Sequence, residues 1–334
     1  MKAAQIQEAE GEFQLVELDK PKPKENEVLI KVEACGICHS DAFVKDGTFP
    51  GLEYPRVPGH EVIGTIEAVG DNVSSWSKNQ RVGVGWHGGH CFECEPCRRG
   101  DFISCQNAKV SGISYDGGYA EYMCAPQEAL VAVPDELSSV EAAPLLCAGI
   151  TVYNALRNSG IKAGDTVAIQ GIGGLGHLAI QYAHKMGMRT VALSTSDDKK
   201  ELALKLGAHH FINAKKDNAS DKLQELGGAR LILGTAPSGK AMTSVIGGLG
   251  VDGELLMVGA TPEAVEVSPM EMLMGRKSVA GWPSGTPTDS EDTLKFSALF
   301  DTKPMIEEYP LEKVKEAYNR MITNQSKFRV VLKP

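Results

Sequence analysis

The stretch Thr166-Val167-Ala168-Ile169-Gln170-Gly171-Ile172-Gly173-Gly174-Leu175-Gly176 decides the fold class. Its first five residues form a short apolar run, and residues 174–186 follow with helical spacing. Between run and helix stands G-x-G-x-x-G, built from Gly171, Gly173 and Gly176, with Gly174 inside it. In a chain with 36 glycines the pattern alone is weak. Its position gives it weight, because a turn between strand and helix is where glycines let the backbone approach a pyrophosphate at a helix N-terminus. A tight structural turn would use the same residues but would not require that context.

Downstream the same rhythm continues. Runs at 190–194, 210–212, 230–233 and 254–258 alternate with a helical stretch at 198–206. Such alternation predicts an α/β domain with a parallel, doubly wound sheet over residues 151–286. Upstream, over residues 1–150, short β-runs at 28–33, 62–69, 81–84 and 119–124 are split by Pro, Gly, Asp and Asn, which predicts a mostly β domain with long loops. A helical pattern at 311–321 and a terminal β-run at 328–332 are expected to return residues 287–334 to that first domain. Two domains also suit a chain of 334 residues.

The formal net charge of −9 argues against a protein that tracks nucleic-acid phosphates or lies on an anionic membrane. Residues 1–13 lack the charged-then-apolar plan of a signal peptide, and no apolar run reaches spanning length, so a cytoplasmic protein is expected. In that setting eight cysteines point to metal or redox chemistry rather than to disulfides.

Cys91, Cys94, Cys97 and Cys105 form a C-x2-C-x2-C-x7-C array in a short polar stretch. Four thiolates supplied by one loop suit a closed tetrahedral zinc site, which leaves no position for substrate and is therefore structural. An iron–sulfur cluster is the competing reading, since it also takes four cysteines. A second set is scattered: Cys38 within Cys35-Gly36-Ile37-Cys38-His39-Ser40-Asp41, His60 before Glu61, and Cys147 before Ala148-Gly149. Taken singly, each of these is more often a packed core residue than a ligand.

Together and in this order, the motifs resemble the zinc-dependent alcohol dehydrogenases of the medium-chain superfamily, over nearly the whole chain. The resemblance implies a GroES-like catalytic domain beside a Rossmann cofactor domain, with activity on a primary alcohol or aldehyde. It further implies that Cys38, His60 and Cys147 bind a catalytic zinc, whose fourth position goes to water, substrate or transiently Glu61. Ser40 would take the alcohol proton, His39 would approach the cofactor pyrophosphate, and Asp41 would orient His60. Thr151 and Leu175 would lie at the nicotinamide, Arg329 at the pyrophosphate, and Phe49 and Trp86 would wall the substrate pocket. A homodimer or homotetramer is implied as well. One position departs from the family pattern: Phe43 stands where many members carry a histidine that completes a proton relay. The proton must then leave through the cofactor ribose, water or another group.

The acid that grips the ribose of NAD is expected about twenty residues beyond the glycines. Here Ser194 occupies that place, followed by Thr195 and Lys199, and hydroxyls beside a lysine favour the 2′-phosphate of NADP(H). Asp197 and Asp198 keep the NAD alternative open through a shifted register. Two other functions stay in view: a zinc-free reductase of the same superfamily, and a zinc-stabilised binding protein on a nucleotide fold.

Overall fold

The computed structural model describes residues 1–334, which form two compact units: Met1–Ile150 with Gly285–Pro334, and Thr151–Ser284. The first is mostly β. Its main sheet runs, in spatial order, Ile306–Pro310, Arg329–Lys333, Glu27–Ile37, Val62–Val69, Arg81–Val84 and Leu130–Ala132, and Tyr122–Pro126 pairs with Glu27–Ile37 as well. Glu27–Ile37 is long because Val28, Ile30, Val32 and Ala34 all face inward at the two-residue period of a strand. Around them close Ile66, Val82, Met123, Leu130, Tyr318 and Leu332.

The register of this sheet positions the chemistry. Cys35 pairs with Val62 on one side and Leu332 on the other, and Gly36 pairs with Val331. The end of Glu27–Ile37 thus lies between the residue entering Val62–Val69, Glu61, and the residue opening the last strand, Arg329. From there the chain passes Cys38 into a 3-10 turn, His39–Asp41, and a short helix, Ala42–Asp46.

The second unit is a six-stranded parallel sheet in the order His210–Asn213, Arg189–Ser194, Thr166–Gln170, Ala229–Gly234, Leu249–Met257, Ser278–Gly281. Every residue of Thr166–Gln170 is buried, as expected of a central parallel strand covered on both faces. Val191, Leu193, Ile212, Ile232 and Leu255 form the core around Ala168.

Several boundaries differ from the sequence reading. The strand expected at 119–124 starts at Tyr122. Before it, the Tyr119 N–H donates to the Pro58 carbonyl and its own carbonyl accepts from the Ala4 N–H, so Tyr119 belongs to a loop crossing. The stretch 198–206 divides into a 3-10 turn, Asp197–Lys199, and a helix, Lys200–Lys205. Helices Ala219–Glu225, Pro269–Gly275 and Pro287–Leu299 and the strand Ser278–Gly281 were not anticipated. No single helix is long and apolar enough to cross a membrane.

Candidate active site

Cys38, His60, Glu61 and Cys147 converge in the first unit, with one ligand atom of each within 4.8 Å of all the others. Three different local structures deliver them. Cys38 precedes the 3-10 turn His39–Asp41. His60 follows Gly59, whose φ of +107° suits glycine. Cys147 ends the 3-10 segment Ala143–Leu146.

The donor set fits a tetrahedral zinc ion. Zinc–sulfur bonds of about 2.3 Å at tetrahedral angles place two sulfurs roughly 3.8 Å apart. The Cys38 and Cys147 sulfurs are 3.7 Å apart. His60 donates Nδ1–H to Asp41 Oδ1 at 3.0 Å, while its Nε2 is buried without any partner. That tautomer presents a lone pair on Nε2, as a metal-binding imidazole needs. The hydrogen bond from Cys147, reinforced by His60 and Arg329 and opposed by burial, holds Cys38 well below the usual thiol range. That bond to Cys38, together with burial, drives Cys147 upward. Burial alone would lower His60, but the Asp41 charge, its hydrogen bond and Cys38 outweigh burial and favour its protonated form, whose Nε2 proton a metal ion would displace on binding.

Glu61 is fully buried and bonded to the Arg329 Nη2. Burial pushes its carboxyl up to about 7 against the pull of Arg329, and its second oxygen, Oε2, has no partner. Sequence reasoning placed Glu61 near the metal but missed this partner, 268 residues away along the chain. Arg329, expected at the pyrophosphate, is itself buried in this ion pair. Tyr119 was missed entirely: its hydroxyl donates to Asp41 Oδ2 at 2.8 Å.

Aromatic rings border the cluster. Trp86 meets the His60 ring edge-on with centroids 5.0 Å apart, Phe49 lies 6.2 Å from Trp86, and Phe43 lies 6.1 Å from Phe49. The relay-histidine position is therefore part of an apolar wall. Ser40 lies within reach of Cys38, its Oγ 3.8 Å from that sulfur, and His39 is exposed beside it.

The four-cysteine lobe has the same metal-binding geometry. Its sulfurs lie 3.6 Å (Cys91–Cys105) and 3.8 Å (Cys94–Cys105) apart. Backbone N–H groups of Cys91, Cys94 and Asn107 point at sulfurs of the set, which favours thiolates. The side chain of Asn107 and neighbouring backbone N–H groups pull Cys91 down to about 6. His90 stays outside the set, its Nδ1 2.9 Å from His87 Nε2. Cys35 is buried and Cys124 half-buried, and neither joins a metal cluster.

In the second unit the three glycines play three parts. Gly171 turns with φ +95°. A Cβ on Gly173 would meet nothing within 4 Å, leaving space for a phosphate, whereas one on Gly176 would sit 1.8 Å from the Gly171 carbonyl oxygen. Leu175 caps the helix Gly176–Lys185 that begins there. At the next strand end Ser194 Oγ accepts from the Ser196 N–H, Thr195 is exposed, and Lys199 Nζ donates to the Ile172 carbonyl at 2.8 Å. Asp197 is engaged by Asn213 and Lys216, and Asp198 by Ser196. Thr151 opens the second unit inside the helix Ala148–Asn158.

Comparison with known proteins agrees with both halves. The alcohol dehydrogenase GroES-like domain matches residues 24–135, and the zinc-binding dehydrogenase domain matches residues 174–299. The chain belongs to the zinc-type medium-chain alcohol dehydrogenases. It is 46% identical to the alcohol dehydrogenase patD of Penicillium expansum, covering 99% of this chain and 97% of that one. An alcohol dehydrogenase of Geobacillus stearothermophilus is 39% identical over 100% of this chain and 99% of its own. Among solved structures, the CAD of Helicobacter pylori complexed with NADP(H) superposes with a TM-score of 0.88 at 27% identity, covering 99% and 97% of the two chains. The enzyme is thus an oxidoreductase that interconverts alcohols and aldehydes with a nicotinamide cofactor.

Proposed function

We propose that this dehydrogenase holds two zinc ions per chain, a catalytic one on Cys38, His60 and Cys147 and a structural one on Cys91, Cys94, Cys97 and Cys105. The observation that carries the first assignment is the buried, unpartnered His60 Nε2 facing two sulfurs at tetrahedral spacing. Zinc bound there supplies a Lewis acid that acidifies an alcohol hydroxyl or, in reverse, polarises a carbonyl. Ser40 is placed to accept the alcohol proton, and Phe43 cannot carry it onward, so its path out would run through water or the ribose of a bound cofactor. Asp41 fixes the His60 tautomer, and Arg329 holds the Glu61 carboxylate in place. Zinc analysis checks the stoichiometry: two ions per chain are expected, and a single ion would refute the assignment. Cys38→Ser should retain the lobe ion, lose the other, and lower alcohol oxidation at least a hundredfold; a fully active variant would remove Cys38 from the ligand set.

The preferred cofactor in this reading is NADP(H). Both acids that a shifted register might offer to a ribose are bound to neighbouring side chains, and the Lys199 ammonium, held on the Ile172 carbonyl, lies with Ser194 and Thr195 at the strand end beside the glycine turn. The Helicobacter pylori relative was solved with NADP(H). A kcat/KM higher with NADPH than with NADH is expected, and Lys199→Ala should narrow the ratio by about tenfold, the loss of one charge-assisted contact. Preference for NADH would overturn this reading. The rings of Phe43, Phe49 and Trp86 favour slim primary alcohols, and Trp86→Ala should admit secondary ones.

The enzyme assembles as a homo-oligomer in this reading. Ser278–Gly281 pairs only with Leu249–Met257, leaving an open sheet edge, and Met270, Leu273 and Met274 of the neighbouring helix are exposed.

A further inference from the structure

We propose that Tyr119 is a positioning residue for the catalytic metal, acting through Asp41 on both His60 and Cys38. The inference rests on the reading that Cys38, His60 and Cys147 hold zinc. Asp41 is a buried carboxylate with three donors. Oδ1 takes the Nδ1–H of His60 at 3.0 Å. Oδ2 takes the backbone N–H of Cys38 at 2.8 Å and the hydroxyl of Tyr119 at 2.8 Å. One carboxylate therefore orients two of the three ligands, and Tyr119 supplies the only side-chain hydroxyl that fixes its rotation.

The phenol is built into place. Tyr119 is fully buried, and its backbone is tied at both ends, N–H to the Pro58 carbonyl and carbonyl to the Ala4 N–H. Its ring lies against Gly59, where a Cβ would come within 2.5 Å of the ring, so the residue preceding His60 is a glycine on which this tyrosine packs. A phenylalanine ring would fill the same volume and make the same contact with Phe13, 6.0 Å away. A buried hydroxyl costs free energy unless it is hydrogen-bonded, and here its bond goes to the carboxylate behind the zinc ligand. The energetic return is at the metal, since outer partners of ligating histidines govern ligand orientation and metal affinity.

The test uses the purified holoenzyme and the isosteric variant Tyr119→Phe. Zinc release to a colorimetric chelator is followed alongside the visible d–d spectra after cobalt(II) exchange into the Cys38, His60, Cys147 site and, separately, into the four-cysteine lobe. The expected result is that one zinc per chain leaves about tenfold faster in the variant, while the lobe zinc leaves at the wild-type rate. The cobalt band of the catalytic site should shift and that of the lobe should not. Asp41→Asn should show the same phenotype, and Tyr119→Phe should add nothing in the Asp41→Asn background. Release at the wild-type rate, equal acceleration at both sites, or additive effects in the double variant would each overturn the proposal. Where Asp41→Asn does not fold, the Tyr119→Phe release rates decide alone. A wild-type chain that holds one zinc fails the functional reading before any variant is compared.

Discussion

Gly36 acts through the side chain it lacks. A Cβ there would sit 1.8 Å from Glu61 Oε2 and 2.9 Å from Glu61 Cδ. Its neighbours in the sheet, Val62 beside Cys35 and Val331 beside Gly36 itself, bring Glu61 and Arg329 together over it. Gly36→Ala therefore displaces the Glu61 carboxylate from Arg329 and leaves a buried charge without its partner, a kind of loss that costs about 3–5 kcal/mol. The expected outcome is a melting temperature lowered by several degrees together with at least a tenfold fall in kcat, with lobe zinc retained; unchanged kcat would show that the Glu61 position has no bearing on turnover. The convergence of Cys38, His60, Glu61 and Cys147 was legible only through the family resemblance of their motifs, since each residue taken singly reads as core packing. Arg329 and Tyr119 were not, because their roles arise from contacts 268 and 78 residues away along the chain, and neither residue type announces a partner.

At the level of elements, the short strand His87–Gly89 carries a titration that the fold resists. Burial first, and the neighbouring His90 second, lower His87 from 6.5 to about 4. Between those values the unfolded chain binds more protons than the folded one. The stabilisation is thus complete above about pH 6.5 and is lost as pH falls towards 4. His87→Gln cannot take up that proton, so its stability should decline less between pH 6.5 and 4, by roughly 2–3 kcal/mol at one unit per 1.4 kcal/mol. Denaturant melts of both proteins across this range check the difference; parallel pH profiles would reject it. Five of the six strands of the second unit were readable because continuous apolar runs are what a doubly covered sheet demands, whereas the edge strand Ser278–Gly281 has no such run. Pro287–Leu299 escaped because its buried face is Ser290, Thr293, Leu294 and Ser297, too polar to register as an apolar stripe. The available signal was local instead: the capping box of Thr286 and Asp289, with Pro287 in the first turn.

For the whole molecule, the open edge of the second unit's sheet bears on assembly. Edge strands with exposed apolar neighbours are templates for pairing, and a soluble protein usually covers or charges them. Here Ser278–Gly281 offers Val279 and Ala280 between small residues, and on the helix Pro269–Gly275, which packs on the adjacent strand Leu249–Met257, Met270, Leu273 and Met274 are 67%, 75% and 80% exposed. A two-fold axis at this edge would pair identical strands and bury the same helix face on both copies, the self-complementary arrangement of a dimer. Each such side chain contributes about 1.5–3 kcal/mol when fully buried, and every contribution counts twice across the axis. The double variant Leu273→Glu with Met274→Glu places like charges at symmetric positions, so the cost is also doubled. Sedimentation velocity at micromolar concentration should show the wild type as a dimer or tetramer and the variant shifted to the next smaller species. Zinc content should stay unchanged, since every proposed zinc ligand belongs to the first unit. A wild-type monomer would reject the assembly itself, and a variant that sediments like the wild type would place the interface elsewhere. Sequence alone had no means of marking this surface, because exposed methionines and leucines in a short helix look the same in the chain as core residues. Only the strand order shows which edge they flank.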